Sequence, residues 1–170
     1  MTPPQREYFS KLRESLNEVY RIVLNAKKRG LDPSLEPETK IAGDMAALVE
    51  GLVGPKGIAD RIRSLSKVLS REELAFKIAE EIIYGRFGHL EEDKAAEQAI
   101  RASLAILTEG VTAAPLQGVS KVSIKRNFDN SKYLAIYFAG PIRSAGGTDQ
   151  ALTLVIGDFI RKKLNLDRYK

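Results

Sequence analysis

The chain has 170 residues, 44% apolar and 29% charged, with a formal net charge of +5. That is the composition of a soluble globular protein with room for one domain or one and a half. No apolar run approaches the ~20 residues of a membrane-spanning helix, so no membrane association is expected. The N-terminus, Met1-Thr-Pro-Pro-Gln-Arg6, lacks the apolar core of a secretory signal. The absence of cysteine excludes disulfides and zinc-thiolate sites and fits a cytoplasmic protein.

Pro3 and Pro4 precede Tyr8, Phe9, Leu12, Leu16, Val19, Tyr20 and Val23, whose intervals of three and four mark one face of a helix. Pro4 suits its first turn, Lys27, Lys28 and Arg29 complement its C-terminal dipole, and Gly30 ends it. Leu31-Asp-Pro-Ser-Leu-Glu-Pro37 reads as a loop. Asp44 opens a short helix through Ala46, Leu48, Val49 and Leu52. Gly54-Pro-Lys-Gly57 interrupts it, and a helical period resumes through Ile58, Ile62, Leu65 and Leu69. Helix, glycine turn, helix is similar to the helix-hairpin-helix, which grips DNA phosphate with turn amides. Pro55 and Lys56 depart from its glycine-apolar-glycine turn, and a plain helix connection is the alternative.

Ser70 and Glu73 have the spacing of a capping box ahead of Leu74, Ile78, Ile82 and Ile83, and Gly85 stops that helix. His89, the only histidine, reads as a loop or cap residue. Glu91, Glu92 and Asp93 favour the start of a further helix burying Ala95, Ala96, Ala99, Ile100, Leu104 and Leu107. Those alanines imply close packing against a neighbouring helix. Glu80-Glu81 and Glu91-Glu92-Asp93 read as solvated helix charges.

After Pro115 the period changes. Val122 and Ile124 alternate with Lys121, Ser123 and Lys125, as in a half-buried strand. Asn127-Phe-Asp-Asn-Ser131 reads as a turn, and Tyr133 to Phe138 is apolar on both faces, as in an interior strand. A glycine-rich loop, Gly140-Pro-Ile-Arg-Ser-Ala-Gly-Gly-Thr148, leads into an amphipathic helix over Asp149–Leu164 with Leu152, Val155, Ile156, Phe159, Ile160 and Leu164 inward. The fold class is therefore mostly α: a helical N-terminal bundle over residues 1–112, then a β-hairpin–Gly-rich loop–helix unit over 113–170. A two-stranded sheet is marginal alone, so this unit reads as the start of a truncated α+β domain.

The loop is the candidate site. Free amides and a positive dipole end at a helix N-terminus suit an anion. Gly146 and Gly147 permit close approach, Thr148 is placed to cap the helix, and Arg143 and Ser144 add a fork of donors and a hydroxyl. The spacing is neither a Walker A loop nor a dinucleotide fingerprint, since Gly147 stands where the Walker lysine belongs. A turn needing glycine for geometry only is the alternative. Charge supports an anionic partner: residues 118–170 hold 10 of the 27 Lys and Arg but 4 of the 22 Asp and Glu. No nucleophile–base pair or metal-ligand spacing stands out, so neither catalytic nor metal-binding residues are assigned. Asp149 and Asp158 are too isolated for a two-metal site.

The stretch Tyr137-Phe-Ala-Gly-Pro-Ile-Arg-Ser-Ala-Gly-Gly-Thr148, with Gln150-Ala-Leu152 and Asp158-Phe-Ile-Arg-Lys-Lys-Leu164, resembles the large subunit of archaeal family D DNA polymerase. So do Ala105-Ile-Leu-Thr-Glu-Gly-Val111 and Leu52-Val-Gly-Pro-Lys-Gly-Ile-Ala-Asp-Arg-Ile-Arg63. Asp149 is a departure, standing where a small neutral residue is expected. The resemblance covers most of the chain and implies the N-terminal region of a catalytic subunit whose polymerase centre lies downstream. It further implies Mg²⁺ and zinc in the full-length chain but no cofactor in these residues. DNA, the small subunit and the sliding clamp are the implied partners. On this reading Arg143, Lys121, Lys125, Arg126, Arg161, Lys162 and Lys163 contact DNA phosphate without reading sequence, while synthesis resides in the rest of the chain. A nucleotide- or phosphate-binding enzyme domain and a protein–protein interaction module stay open as alternatives.

Overall fold

The structure, a computed structural model, describes residues 2–31, 42–109, 117–140 and 147–170. Two compact units divide after Lys40. The expected division at residues 112/113 lies outside the described residues.

The first unit is one helix, α1 (Pro3–Lys28). Gln5 Oε1 accepts from the Thr2 amide at 2.8 Å, satisfying a donor that the helix leaves free. At the other end Gly30 turns left-handed with φ 81°, the Gly30 amide donates to Lys27 O and the Leu31 amide to Ala26 O. That pair of bonds is a Schellman close, and it explains why the helix stops where the sequence predicts. No residue of α1 is buried, and its stripe of Tyr8, Phe9, Leu12, Leu16, Val19 and Tyr20 is exposed. Leu31 opens the expected loop, and the rest of that loop lies outside the described residues.

The second unit, Ile41–Lys170, holds the core. Asp44 caps α2 (Met45–Val53) by accepting from the Ala47 amide at 2.7 Å. The Gly54-Pro-Lys-Gly57 turn leads to α3 (Ile58–Leu65), shorter than the expected run to Leu69. Glu50 Oε2 accepts from the amides of Gly57 and Ala59 at 3.1 and 2.8 Å. This weighs against the phosphate-gripping reading of the turn: the Gly57 amide already holds a carboxylate, which repels an incoming phosphate.

Ser70 and Glu73 make the expected capping box at the head of α4 (Arg71–Ile83), at 3.2 and 2.9 Å. Alanines 95, 96, 99, 102 and 105 of α5 (Glu92–Leu107) are all buried. They let α5 lie close on α4, and Ser103 Oγ donates to Ala75 O at 2.9 Å across the seam. Glu81 corrects a reading. Expected as a solvated charge, it is 7% exposed and takes a forked pair of hydrogen bonds from the Arg61 guanidinium of α3. That guanidinium holds its carboxyl below the usual range against the opposing effect of burial.

Strands β1 (Val119–Arg126) and β2 (Lys132–Phe138) form an antiparallel hairpin. The outer edge of β1 is sealed by α5. Glu97 accepts from the Val122 amide at 3.3 Å, Asp93 from the Ile124 amide at 3.1 Å, and Arg101 donates to Val119 O at 2.9 Å. These three sit at four-residue intervals on one helix stripe, so side chains replace the neighbouring strand that an edge lacks. β2, expected as an interior strand, is half-buried along its length, because only one edge is fully paired. Its other edge receives the C-terminal segment at one point, where the Asp167 amide donates to Lys132 O at 2.7 Å.

Helix α6 (Gly147–Lys163) packs on α4, α5 and β2. Phe159 meets Phe76 with ring centroids 4.9 Å apart, and Ile156 and Ile160 are fully buried. Gly157 lets β2 come close: a Cβ there would lie 2.5 Å from Ile136 Cδ1, so that side chain would have to shift. Among the described residues no helix is long and apolar enough to cross a membrane. The architecture is mostly α with a β-hairpin followed by a helix, as the sequence predicts.

Candidate nucleic-acid interface

The hairpin register sorts its side chains. Val122, opposite Ile136, belongs to the core, and Ile124 stands opposite Leu134 on the same side of the strand. Lys121, Ser123 and Lys125 stand opposite Tyr137, Ala135 and Tyr133 on the other. Lys121, Lys125 and Arg126 are exposed. Among the described residues no carboxylate pairs with any of them. Lys125 Nζ lies 5.2 Å over the Tyr137 ring. The neighbouring phenol raises the Lys125 ammonium above its usual range, and Lys125 in turn lowers Tyr137. The ammonium therefore stays charged while facing solvent, with an aromatic platform beside it.

The helix-end cations are placed differently. Arg161, whose side chain is 16% exposed, donates to Asp158 at 2.9 Å and to Leu166 O at 2.7 Å. Lys162 pairs with Asp158 at 2.9 Å, and Lys163 with Glu80 at 2.6 Å. Asp158 is held below the usual carboxylate range by Lys162 first and Arg161 second, and Glu80 by Lys163 and then Lys77. Lys163 ties α6 to α4 and Arg161 ties it to the C-terminal segment, while Lys162 pairs within α6. The sequence showed one basic surplus. The structure divides it into an unpaired hairpin group and an internally paired helix group, which it does not bring together.

Arg143, Ser144 and Gly146 lie outside the described residues. Gly147 opens α6 and Thr148 lies inside its first turn, both exposed, so Thr148 does not flank the helix as expected of a cap. Asp149, the departure, is buried, and its backbone carbonyl accepts from Thr153 Oγ1 at 2.6 Å. Among the described residues no three His, Cys, Asp or Glu side chains gather as they would around a metal ion.

Sequence reasoning read Asn127–Ser131 as a turn but gave no role to Phe128 or to the aromatics beside it. Tyr169 of the C-terminal segment meets Tyr133 at 5.1 Å, edge to face, and Phe128 at the turn is 87% exposed. The signal was present as aromatic residues interleaved with Lys and Arg, but nothing local tells which of them face outward.

With this geometry in place, comparison supplies the class. The chain belongs to the family described as "DNA polymerase II large subunit DP2, N-terminal", which matches residues 7–170. The resemblance to the large subunit of archaeal family D polymerase is thereby borne out. Among individual relatives, the chain is 55% identical over 167 residues to the DNA polymerase II large subunit of Pyrococcus horikoshii, covering 96% of this chain and 12% of the relative. It is 51% identical over 172 residues to that of Thermococcus kodakarensis, covering 99% of this chain and 10% of the relative. To that of Methanococcus maripaludis it is 50% identical over 164 residues, covering 96% and 14%. The chain thus spans between 10% and 14% of the length of these relatives.

Proposed function

We propose that these residues form the N-terminal segment of the large subunit of a replicative DNA polymerase, contacting the DNA backbone and supporting subunit assembly. Template-directed synthesis, and the Mg²⁺ and zinc expected with it, belong to the remainder of the chain. The observation that carries the reading is the outer face of the hairpin. Lys121 and Lys125 stand on it, and Arg126, exposed at the end of β1, alternates to the opposite side; all three are cations unpaired among the described residues, on a sheet tied by hydrogen bonds to α5 and the C-terminal segment. Such a face offers point charges to successive phosphates and no base-edge readout, so it positions DNA without selecting sequence. Arg161, Lys162 and Lys163 support the reading less, because contact with phosphate would cost each an ion pair it already makes.

The test is DNA binding by the full-length protein with Lys121, Lys125 and Arg126 all replaced by Ala, measured over a range of salt. If all three meet phosphate, the slope of log affinity against log salt becomes shallower by about 2.7, at roughly 0.9 per phosphate on duplex DNA. Unchanged affinity and slope would overturn the proposal.

A second reading concerns α1, whose stripe of exposed apolar side chains fits a protein contact better than a nucleic acid. The relatives are large subunits by name, so the small subunit is the partner we propose for that face. Loss of small-subunit copurification on Leu12→Glu with Leu16→Glu would support it, and intact copurification would remove it.

A further inference from the structure

We propose that Phe128, at the tip of the hairpin, stacks on an unpaired base of single-stranded DNA. The inference rests on the reading that the hairpin face meets DNA, and adds to it which form of DNA is held.

Phe128 is 87% exposed, more than any other large apolar side chain among the described residues. An aromatic ring in water contributes nothing to the fold, yet the backbone that carries it is tightly held. The Asn127 amide donates to Ser131 O at 2.8 Å and the Asn130 amide to Asn127 O at 3.0 Å. The buried Asn127 side chain donates to Ser131 Oγ at 2.9 Å and Arg168 O at 2.8 Å, and its Oδ1 accepts from the Lys170 amide at 3.0 Å. Asp129 accepts from the Ser131 amide at 3.0 Å and pairs with Lys170 at 2.7 Å. Asn127 thus spends its side-chain polar groups fastening the turn to the C-terminal segment. The ring beside it is presented at little further cost in backbone entropy on binding.

Two kinds of partner offer a flat apolar surface to such a ring: a nucleobase, or an apolar pocket of another protein. The charge around the tip favours the base. Lys125 and Arg126 lead into the turn and Arg168 follows it in the C-terminal segment, none with a carboxylate partner among the described residues. The nearby acids, Asp129 and Asp167, share the one charge of Lys170, which leaves a single negative charge against those three cations. A base on Phe128 would bring its own phosphates toward these cations. Paired bases inside a duplex have both faces covered, so an unpaired base in a single strand or a gap supplies the ring with a partner.

The test uses full-length protein carrying Phe128→Ala or Phe128→Trp. The probes are a labelled oligothymidylate and a blunt duplex of equal length, each at two salt concentrations, with thermal unfolding alongside. Phe128→Ala should weaken single-strand binding roughly ten-fold, the scale of one lost stacking contact. Duplex binding and thermal unfolding should not change. The salt slope should also be unchanged, because stacking releases no counter-ions. Phe128→Trp should restore single-strand binding. Unaltered single-strand binding in Phe128→Ala overturns the proposal. So does an equal loss on both probes, and so does loss of a copurifying subunit with DNA binding intact, which would assign the ring to a protein contact. The failures are separable. If the Lys121, Lys125 and Arg126 replacement leaves all DNA binding intact, the backbone-contact reading falls. If that replacement weakens binding and Phe128→Ala does not, only the stacking inference falls.

Discussion

Replacing Arg61 with Met tests the buried pair that ties α3 to α4. The substitution keeps the apolar stem of the side chain and removes the guanidinium, leaving Glu81 7% exposed without its principal partner. Stripping one member from a buried ion pair costs about 3–5 kcal/mol. Here the cost should fall to about 2–3 kcal/mol, because Arg86 stays 3.4 Å from Glu81 and the Arg61 side chain keeps a quarter of its exposure. The pH dependence carries the sign. In the native chain Arg61 depresses the Glu81 carboxyl, so the pair's stabilisation is fully present above the unfolded glutamate value of about 4.3. It is lost as pH falls through the lower folded value. In Arg61→Met burial dominates and pushes the carboxyl up, so protonation relieves the variant. Its deficit against the native chain should therefore be largest near neutral pH and shrink toward pH ~4. Urea unfolding of the 170-residue chain at both pH values measures this. A deficit under about 0.5 kcal/mol at neutral pH, or one that does not shrink in acid, would refute the argument. Arg61→Met with Glu81→Leu should recover most of the loss, since an apolar pair of similar volume leaves no buried charge.

Three further predictions concern single contacts. Glu50→Ala removes the acceptor for the Gly57 and Ala59 amides and should destabilise the chain by about 1–2 kcal/mol in urea. Full-length protein with this change should bind DNA as before; altered binding would return the phosphate-gripping reading of that turn. Asn127→Ala should free the turn from the C-terminal segment, and faster amide hydrogen exchange at Lys170 and Ser131 would report it. Gly157→Val should lower stability by about 1–3 kcal/mol, because the new side chain overlaps Ile136. Adding Ile136→Val, which removes the offending Cδ1, should return part of that loss, and no recovery would locate the clash elsewhere.

The features legible in the sequence are those set by neighbours a few residues away. The Ser70–Glu73 capping box, the Gly30 close of α1, the alanine seam of α5 and the switch to strand after Pro115 all carry local chemical reasons. What was not legible depends on residues far apart in the chain. Glu80-Glu81 has the pattern of a solvated helix pair, and nothing within a turn of Glu81 announces Arg61 twenty positions earlier. Asp93, Glu97 and Arg101 show their four-residue spacing, but that they stand in for a strand beside β1 follows only once α5 and β1 meet. The same limit split the candidate site. Lys121 and Arg161 are equal contributors to a charge count, yet Lys121 faces solvent without an acidic partner while Arg161 is engaged by Asp158 and Leu166. The half-exposure of β2 has this origin as well: its apolar residues predict a covered strand, and pairing covers only one of its edges fully.

The central claim, that DNA lies along the outer face of the hairpin, is tested most directly by crosslinking. Lys121, Lys125 or Lys162 is replaced singly by a photocrosslinking residue in the full-length protein, which is then irradiated with end-labelled primer–template DNA. The account predicts covalent adducts from positions 121 and 125 and far fewer from 162, whose lysine is paired with Asp158 within α6. Adducts from 162 alone, or none from 121 and 125, would contradict it.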